Sequence, residues 1–279
     1  MAEVKSAGSK SQGSRAGKPQ KSGNDMLKNL IVILILIGIA HAIFHLYFGS
    51  AANFRDEEMH VPANLLGTMY LGGWVVPILM STFLVLLYFV FERGLSIFKA
   101  KGKVNATEFV RKVQYHLANK NIDAAVAECD KQAGSVGNVM RAGLLKYRDM
   151  INETGLDTEQ KIAQIQKEIE ETTALEMPTM EKNMVFLSTI ASVATLIGLF
   201  GTVLGMIRAF AAMSTGGAPD SAALAAGISE ALVNTALGIG TSAIAIIAYN
   251  FYTTIIDNVT FGIDESGFTL TQNFAANYK

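Results

Sequence analysis

Cysteine is all but missing. Cys129 stands alone, so no internal disulfide can form and no metal cluster can be built from thiols. Charged residues are scarce, 17% of the chain against 50% hydrophobic, and their signs nearly cancel; the net charge says nothing about nucleic acid, and no nucleic-acid partner is expected. No alternating apolar and polar pattern of any length occurs, which removes strands from the expected architecture. No nucleophile is paired with a base and no phosphate-binding loop is present, so neither enzymatic activity nor a cofactor is indicated. What the chain has instead is apolar length. Its mean hydropathy is +0.31, which places it among membrane proteins.

A spanning helix needs about 20 mostly apolar residues. Four stretches qualify, residues 26–49, 66–92, 184–213 and 224–256. The last two are longer than a bilayer requires, so they are expected to tilt or to project into water. Residues 1–25, rich in Ser, Gly and Lys, read as a disordered basic tail. The long apolar stretch that follows, without an obvious small-residue cleavage site, argues against a cleaved signal. The tail carries Lys5, Lys10, Arg15, Lys18, Lys21 and, just beyond it, Lys28, and residues 93–183 are rich in Lys and Arg. The loop 50–65 has Arg55 alone against Asp56, Glu57 and Glu58, and the loop 214–223 has no basic residue. The positive-inside rule therefore puts both termini in the cytoplasm and both loops in the periplasm. Residues 93–183 carry helical spacing throughout, including a cap at Asn105 followed by Phe109, Val113 and Leu117. The expected fold is an all-α integral membrane protein. Its last two helices extend into a helical cytoplasmic domain, and residues 257–279 form a C-terminal tail.

The third and fourth spans carry polar groups that a lipid-facing helix would not. In Leu199-Phe200-Gly201-Thr202-Val203-Leu204-Gly205-Met206, hydroxyl and glycine stand where Leu or Ile would serve lipid, and they recur in Glu230-Ala231-Leu232-Val233-Asn234-Thr235-Ala236-Leu237-Gly238. At about 100° per residue, Ser188, Ser192, Thr195 and Thr202 share one face of the third span. Gly198, Gly201 and Gly205 form a strip that permits close helix approach. In the fourth span Ala231, Thr235, Gly238 and Ser242 line one side, with Glu230 and Asn234 stacked one turn apart beside it. Helix packing is the ordinary account of such hydroxyls. Glu230 asks for more, because a carboxylate about two turns below the membrane surface costs a few kcal/mol unless paired or hydrated. Candidate pathway residues are thus Thr202, Thr235, Glu230 and Asn234, with Gly198, Gly201, Gly205 and Gly238 as packing positions.

Other features have plainer readings. His41 and His45, one turn apart on the first span, could bind a metal or haem, but no second such pair exists in another span, and a hydrogen bond is favoured. Cys129 reads as a small buried residue. Arg208, near the outer end of the third span, is expected to snorkel to the interface.

The stretch Glu181-Lys182-Asn183-Met184-Val185-Phe186-Leu187-Ser188-Thr189-Ile190-Ala191, with the Leu199 to Met206 segment after it, resembles the first pore helix of the MotA/TolQ/ExbB proton-channel family, on its ExbB and TolQ branch. Gly227-Ile228-Ser229-Glu230-Ala231-Leu232 through Thr235-Ala236-Leu237-Gly238 resembles the second. Glu92-Arg93, Phe109, Ala124, Ala125, Cys129 and Arg141-Ala142-Gly143-Leu144 fit as well, so the resemblance covers about residues 66 to 256. The branch has a three-span core with its N-terminus outside, whereas here the 26–49 span is additional and brings the N-terminus inside.

The resemblance implies an inner-membrane homopentamer around a pore of the last two spans. That pore would hold single-span helices of an ExbD- or TolR-like partner with a membrane Asp, and Thr202 and Thr235 would be the threonines facing it, with Glu230 the pore glutamate. It also implies a TonB-like transducer for outer-membrane import or a TolA-like one for envelope integrity. Glu230 is the only acidic residue in the two polar spans, so a proton relay across the membrane is incomplete without a second chain. The competing readings are a metal- or haem-binding membrane protein using His41 and His45, and a scaffold whose membrane polar groups serve packing alone.

Overall fold

The computed structural model describes residues 22–56, 61–214 and 220–278. Most of the expected disordered tail therefore lies outside the described residues, and its last few positions already belong to a helix. Among the described residues the architecture is all-α, with one isolated bridge between Phe54 and Pro62.

Helix α1 (Ser22–Ala42) passes into a π-helical turn (Ile43–Phe48) and a short 3-10 turn (Ala51–Asn53). Helix α2 (Leu65–Tyr70) starts at Asn64, whose side chain accepts the Gly67 N–H at 3.0 Å. Helix α3 (Val75–Lys101) stops at Gly102, where φ is +81°, a conformation glycine adopts without a Cβ clash. Helices α4 (Ala106–Ala118), α5 (Ile122–Gln132) and α7 (Thr158–Glu181) begin at Asn105, Asn121 and Asp157, and each cap side chain accepts a first-turn N–H. Asp157 and Gln160 form a reciprocal capping box. Helix α6 (Gly134–Asn152) lies between α5 and α7 in the chain. Helix α8 (Met184–Ser214) is followed by α9 (Ser221–Asn277), where Asp220 accepts from the Ala222 and Ala223 N–H groups at 3.0 Å. Four helical stretches among the described residues are long and apolar enough to cross a membrane; they take in most of α1 and all of α3, α8 and α9.

Two expectations about these elements need correction. The span expected over 66–92 is broken, because α2 ends at Tyr70 and α3 begins only at Val75. The adjacent pair Gly72-Gly73 is the physical reason, and Gly73 sits at φ +75°, outside helical space. The expected C-terminal tail over 257–279 is also different, since α9 continues to Asn277. At 1.5 Å per residue its 57 residues make a rod about 85 Å long. Ile256, Val259, Ile263, Leu270 and Phe274 keep the apolar face going past the span, and all are buried.

The first half of α9 packs on α8 and α3, and its second half packs on α4, α6 and α7. One continuous core results, running from Phe89, Leu187 and Ala245 among the spans to Leu144, Tyr147 and Phe274 in the helical domain. In the domain, each fully buried large apolar side chain contributes about 1.5–3 kcal/mol. Phe89 stacks on Phe186 with ring centres 4.2 Å apart, and Tyr147 donates to Asn273 Oδ1 at 2.8 Å.

Where α7 meets α8, Asn183 takes φ +62° and turns the chain. Its Nδ2 donates to Glu92 Oε2 at 3.3 Å, while its Oδ1 accepts from Asn29 Nδ2 at 3.2 Å. Glu92 also pairs with buried Arg93, whose Nε lies 2.6 Å from Oε2. The additional first helix is thereby tied to the start of α8.

Candidate functional site

The seam between α8 and α9 is built from small residues. Gly198, Gly201 and Gly205 face Gly238, Asn234 and Ala231, and Gly227 faces Gly205 and Ala209. A Cβ placed on Gly205 would lie 2.7 Å from the Ala231 nitrogen, and one on Gly238 would lie 2.7 Å from the Ala194 oxygen. Only glycine lets the two backbones come this close.

Thr202 of α8 and Thr235 of α9 meet across the seam, their hydroxyls in direct hydrogen-bond contact. Thr202 Oγ1 also lies 3.1 Å from Gly198 O and 3.4 Å from Ala231 O, and Thr235 Oγ1 lies 3.1 Å from Ala231 O. Two hydroxyl hydrogens serve these acceptors, so lone pairs remain for a donor from outside. Both threonines are half-buried at the edge of the seam.

Glu230 points away from the threonine pair, while Asn234 lies against Gly201 with its amide reaching the helix break. Thr235 is five residues beyond Glu230, about 140° round the helix. Glu230 is buried, and both its oxygens meet Arg208 Nη1, Oε1 at 2.9 Å and Oε2 at 2.7 Å. Gly73 lies against this pair, where a Cβ would be 2.5 Å from Oε1. Asn234, fully buried, donates from Nδ2 to the Gly72 carbonyl at 3.0 Å. The helix break therefore rests on the Glu230 and Asn234 face of α9.

The remaining candidates divide in the same way. Gly198, Gly201, Gly205 and Gly238 line the seam, and Ser242 donates to Ala191 O beside it. Ser192 and Thr195 are exposed, and Ser188 is half-buried. Arg208, expected to snorkel, keeps a half-exposed side chain but pairs with Glu230. His41 Nδ1 lies 3.0 Å from Ile37 O, and His45 sits edge-on to Phe44 and Tyr70. Among the described residues no group of three His, Cys, Asp or Glu side chains could hold a metal ion. Cys129 is buried, and loss of solvation, followed by the nearby Asp130 charge, pushes its thiol up to about 12. Burial likewise raises the Tyr147 phenol above its ordinary range. Sequence reasoning missed the roles of Arg208, Gly72 and Gly73. A Gly-Gly pair inside an apolar span was the available signal for the break.

Four membrane-length helices joined to a helical domain, with a polar seam between two of them, define a multi-pass helical membrane protein. Residues 132–265, from the end of α5 to deep in α9, match the MotA/TolQ/ExbB proton channel family, so this helical membrane protein carries a domain match to that family. It is 29% identical over 168 residues to the Tol-Pal system protein TolQ of Pseudomonas aeruginosa, covering 58% of this chain and 69% of that protein. It is 29% identical over 185 residues to the biopolymer transport protein ExbB of Neisseria gonorrhoeae, covering 65% of this chain and 80% of that one. A shorter match, 44% over 75 residues, reaches the TolQ of Haemophilus influenzae and covers 33% of it.

Proposed function

We propose that this chain is the channel subunit of an inner-membrane proton-driven motor, with α8 and α9 lining the pore of a homopentamer. Both termini and the helical domain formed by α4 to α7 with the end of α9 lie in the cytoplasm. The pore holds a single-span ExbD- or TolR-like partner whose membrane aspartate carries the proton. The observation that carries the reading is the direct contact of Thr202 and Thr235 at the half-buried edge of the α8–α9 seam. Hydroxyls with spare lone pairs can hold a protonated carboxyl or a water and tolerate either protonation state. Glu230, charge-compensated by Arg208, sits nearer the start of α9 and marks the outer side of the path. Each proton crossing 100 mV releases about 2.3 kcal/mol, and movement of the partner in the pore passes that work to a periplasm-spanning transducer. We favour a TonB-like transducer serving outer-membrane import; a TolA-like one serving envelope integrity is supported by the TolQ relatives.

The test is Thr235→Val in the chain co-expressed with its partner. Valine keeps the shape and removes the hydroxyl, so assembly should persist while proton-driven function is lost. Thr235→Ser should restore most of it. Full activity in Thr235→Val would reduce the threonine pair to packing.

A further inference from the structure

The α2–α3 break immediately precedes the membrane-length stretch that begins at Val75, and it packs on α9, itself a membrane-length helix. Glu230 and Asn234, which touch it, are about 14 and 20 Å along α9 from its first residue, Ser221. Irregular backbone beside apolar spans is stable only where protein buries it or where it meets water, since lipid offers no hydrogen bonds.

Three features point to water. Asn234 is fully buried, yet its Oδ1 has no hydrogen-bond partner in the protein. Such an atom is costly to leave unpaired and is ordinarily served by an internal water. The Glu230 carboxylate, one turn earlier on the same face, meets a single nitrogen, Arg208 Nη1, with both oxygens, which leaves acceptor positions free. Finally, the break is not sealed. Gly73 is partly exposed, with half-exposed Trp74 beside it and the Arg208 guanidinium against it. The carboxylate is thus screened from the surface by a residue without a side chain. Arg208 already neutralises Glu230, so a neutral molecule suits the site better than a cation.

We propose that the α2–α3 break is a water-access site within one subunit. Water enters past Gly73, donates to Asn234 Oδ1 and to a free lone pair of Glu230, and links that carboxylate to the outer aqueous phase without passing through the central pore. Its use as a proton route rests on the channel reading above; the hydration itself does not.

Cysteine accessibility tests it, starting from a Cys129→Ser chain assembled with its partner in membrane vesicles. The probe is methanethiosulfonate-ethylammonium, which reacts with hydrated thiols. Asn234→Cys should be modified at least ten-fold faster than Leu34→Cys on the apolar face of α1, and equal rates would overturn the proposal. Hydrogen exchange on the unaltered complex gives the same answer without a variant. Residues 71–75 should exchange at least ten-fold faster than 197–205 of α8, and equally slow exchange would refute water access. Fast labelling with no Thr235-dependent function would uphold the water site and sink the channel reading; slow labelling with Thr235-dependent function intact would do the reverse.

Discussion

Replacing Arg208 by glutamine strands the Glu230 carboxylate, and the two ends of the pair should respond unequally. Glu230's side chain is 4% exposed, whereas that of Arg208 is 52% exposed. Removing one partner of a buried ion pair costs about 3–5 kcal/mol, because the remaining charge stays desolvated. Solvent reaches the arginine end and screens the pair, so the lower figure, about 3 kcal/mol, applies to Arg208→Gln. Glu230→Gln leaves a guanidinium that can turn to water and should cost about 1 kcal/mol. The double variant contains no stranded charge and should recover about 2 kcal/mol relative to Arg208→Gln. At about 2–4 °C per kcal/mol, Arg208→Gln should melt about 6–12 °C below the parent. Thermal unfolding of the four purified proteins in one lipid environment reads this directly. An Arg208→Gln protein as stable as the parent, or a double variant no better than Arg208→Gln, would refute the view that the arginine compensates a buried charge.

The seam gives a paired test. Gly201→Ala puts a Cβ 2.5 Å from Asn234 Cβ and should cost about 1–3 kcal/mol, whereas a Cβ on Gly240 meets nothing within 4 Å and Gly240→Ala should be tolerated. Similar melting temperatures for the two would mean that α8 and α9 are not held this closely. Cys129 has a pH signature. Folding holds its thiol protonated up to about 12, above an unfolded value of about 8.5, so its contribution to stability is complete below about pH 8.5. It is lost as the pH rises from there toward 12, by about 1.4 kcal/mol per unit. In the folded chain at pH 8, Cys129 should react with a thiol reagent far more slowly than after denaturation; equal rates would show that the α5 environment is open.

Much of the fold was legible in the sequence. The apolar runs marked the spans, and Asn105 and the helical spacing after it marked α4, because caps and periodicity are local properties. The end of α9 was misread because its apolar spacing beyond residue 256 is diluted by polar residues. Asp257, Asn258, Asp264 and Gln272 are exposed while Ile263, Leu270 and Phe274 face into the core, and a hydropathy run cannot see that division. The break at Gly72-Gly73 was hidden by the apolar residues on either side, although the glycine pair itself was visible.

The sequence by itself determined an all-helical membrane protein, the two segments that carry Thr202 and Thr235, and the glycines that let their helices close. These follow from composition and from a period of 3.6 residues, which no neighbour is needed to define. Only the tertiary structure decided that Thr202 and Thr235 touch, that Glu230 turns inward to Arg208, and that Asn234 holds the broken second span. Those pairings join residues 22 to 162 positions apart in the chain. They depend on the rotation of packed helices about one another, which local spacing leaves undetermined and close contact at the glycine seam fixes.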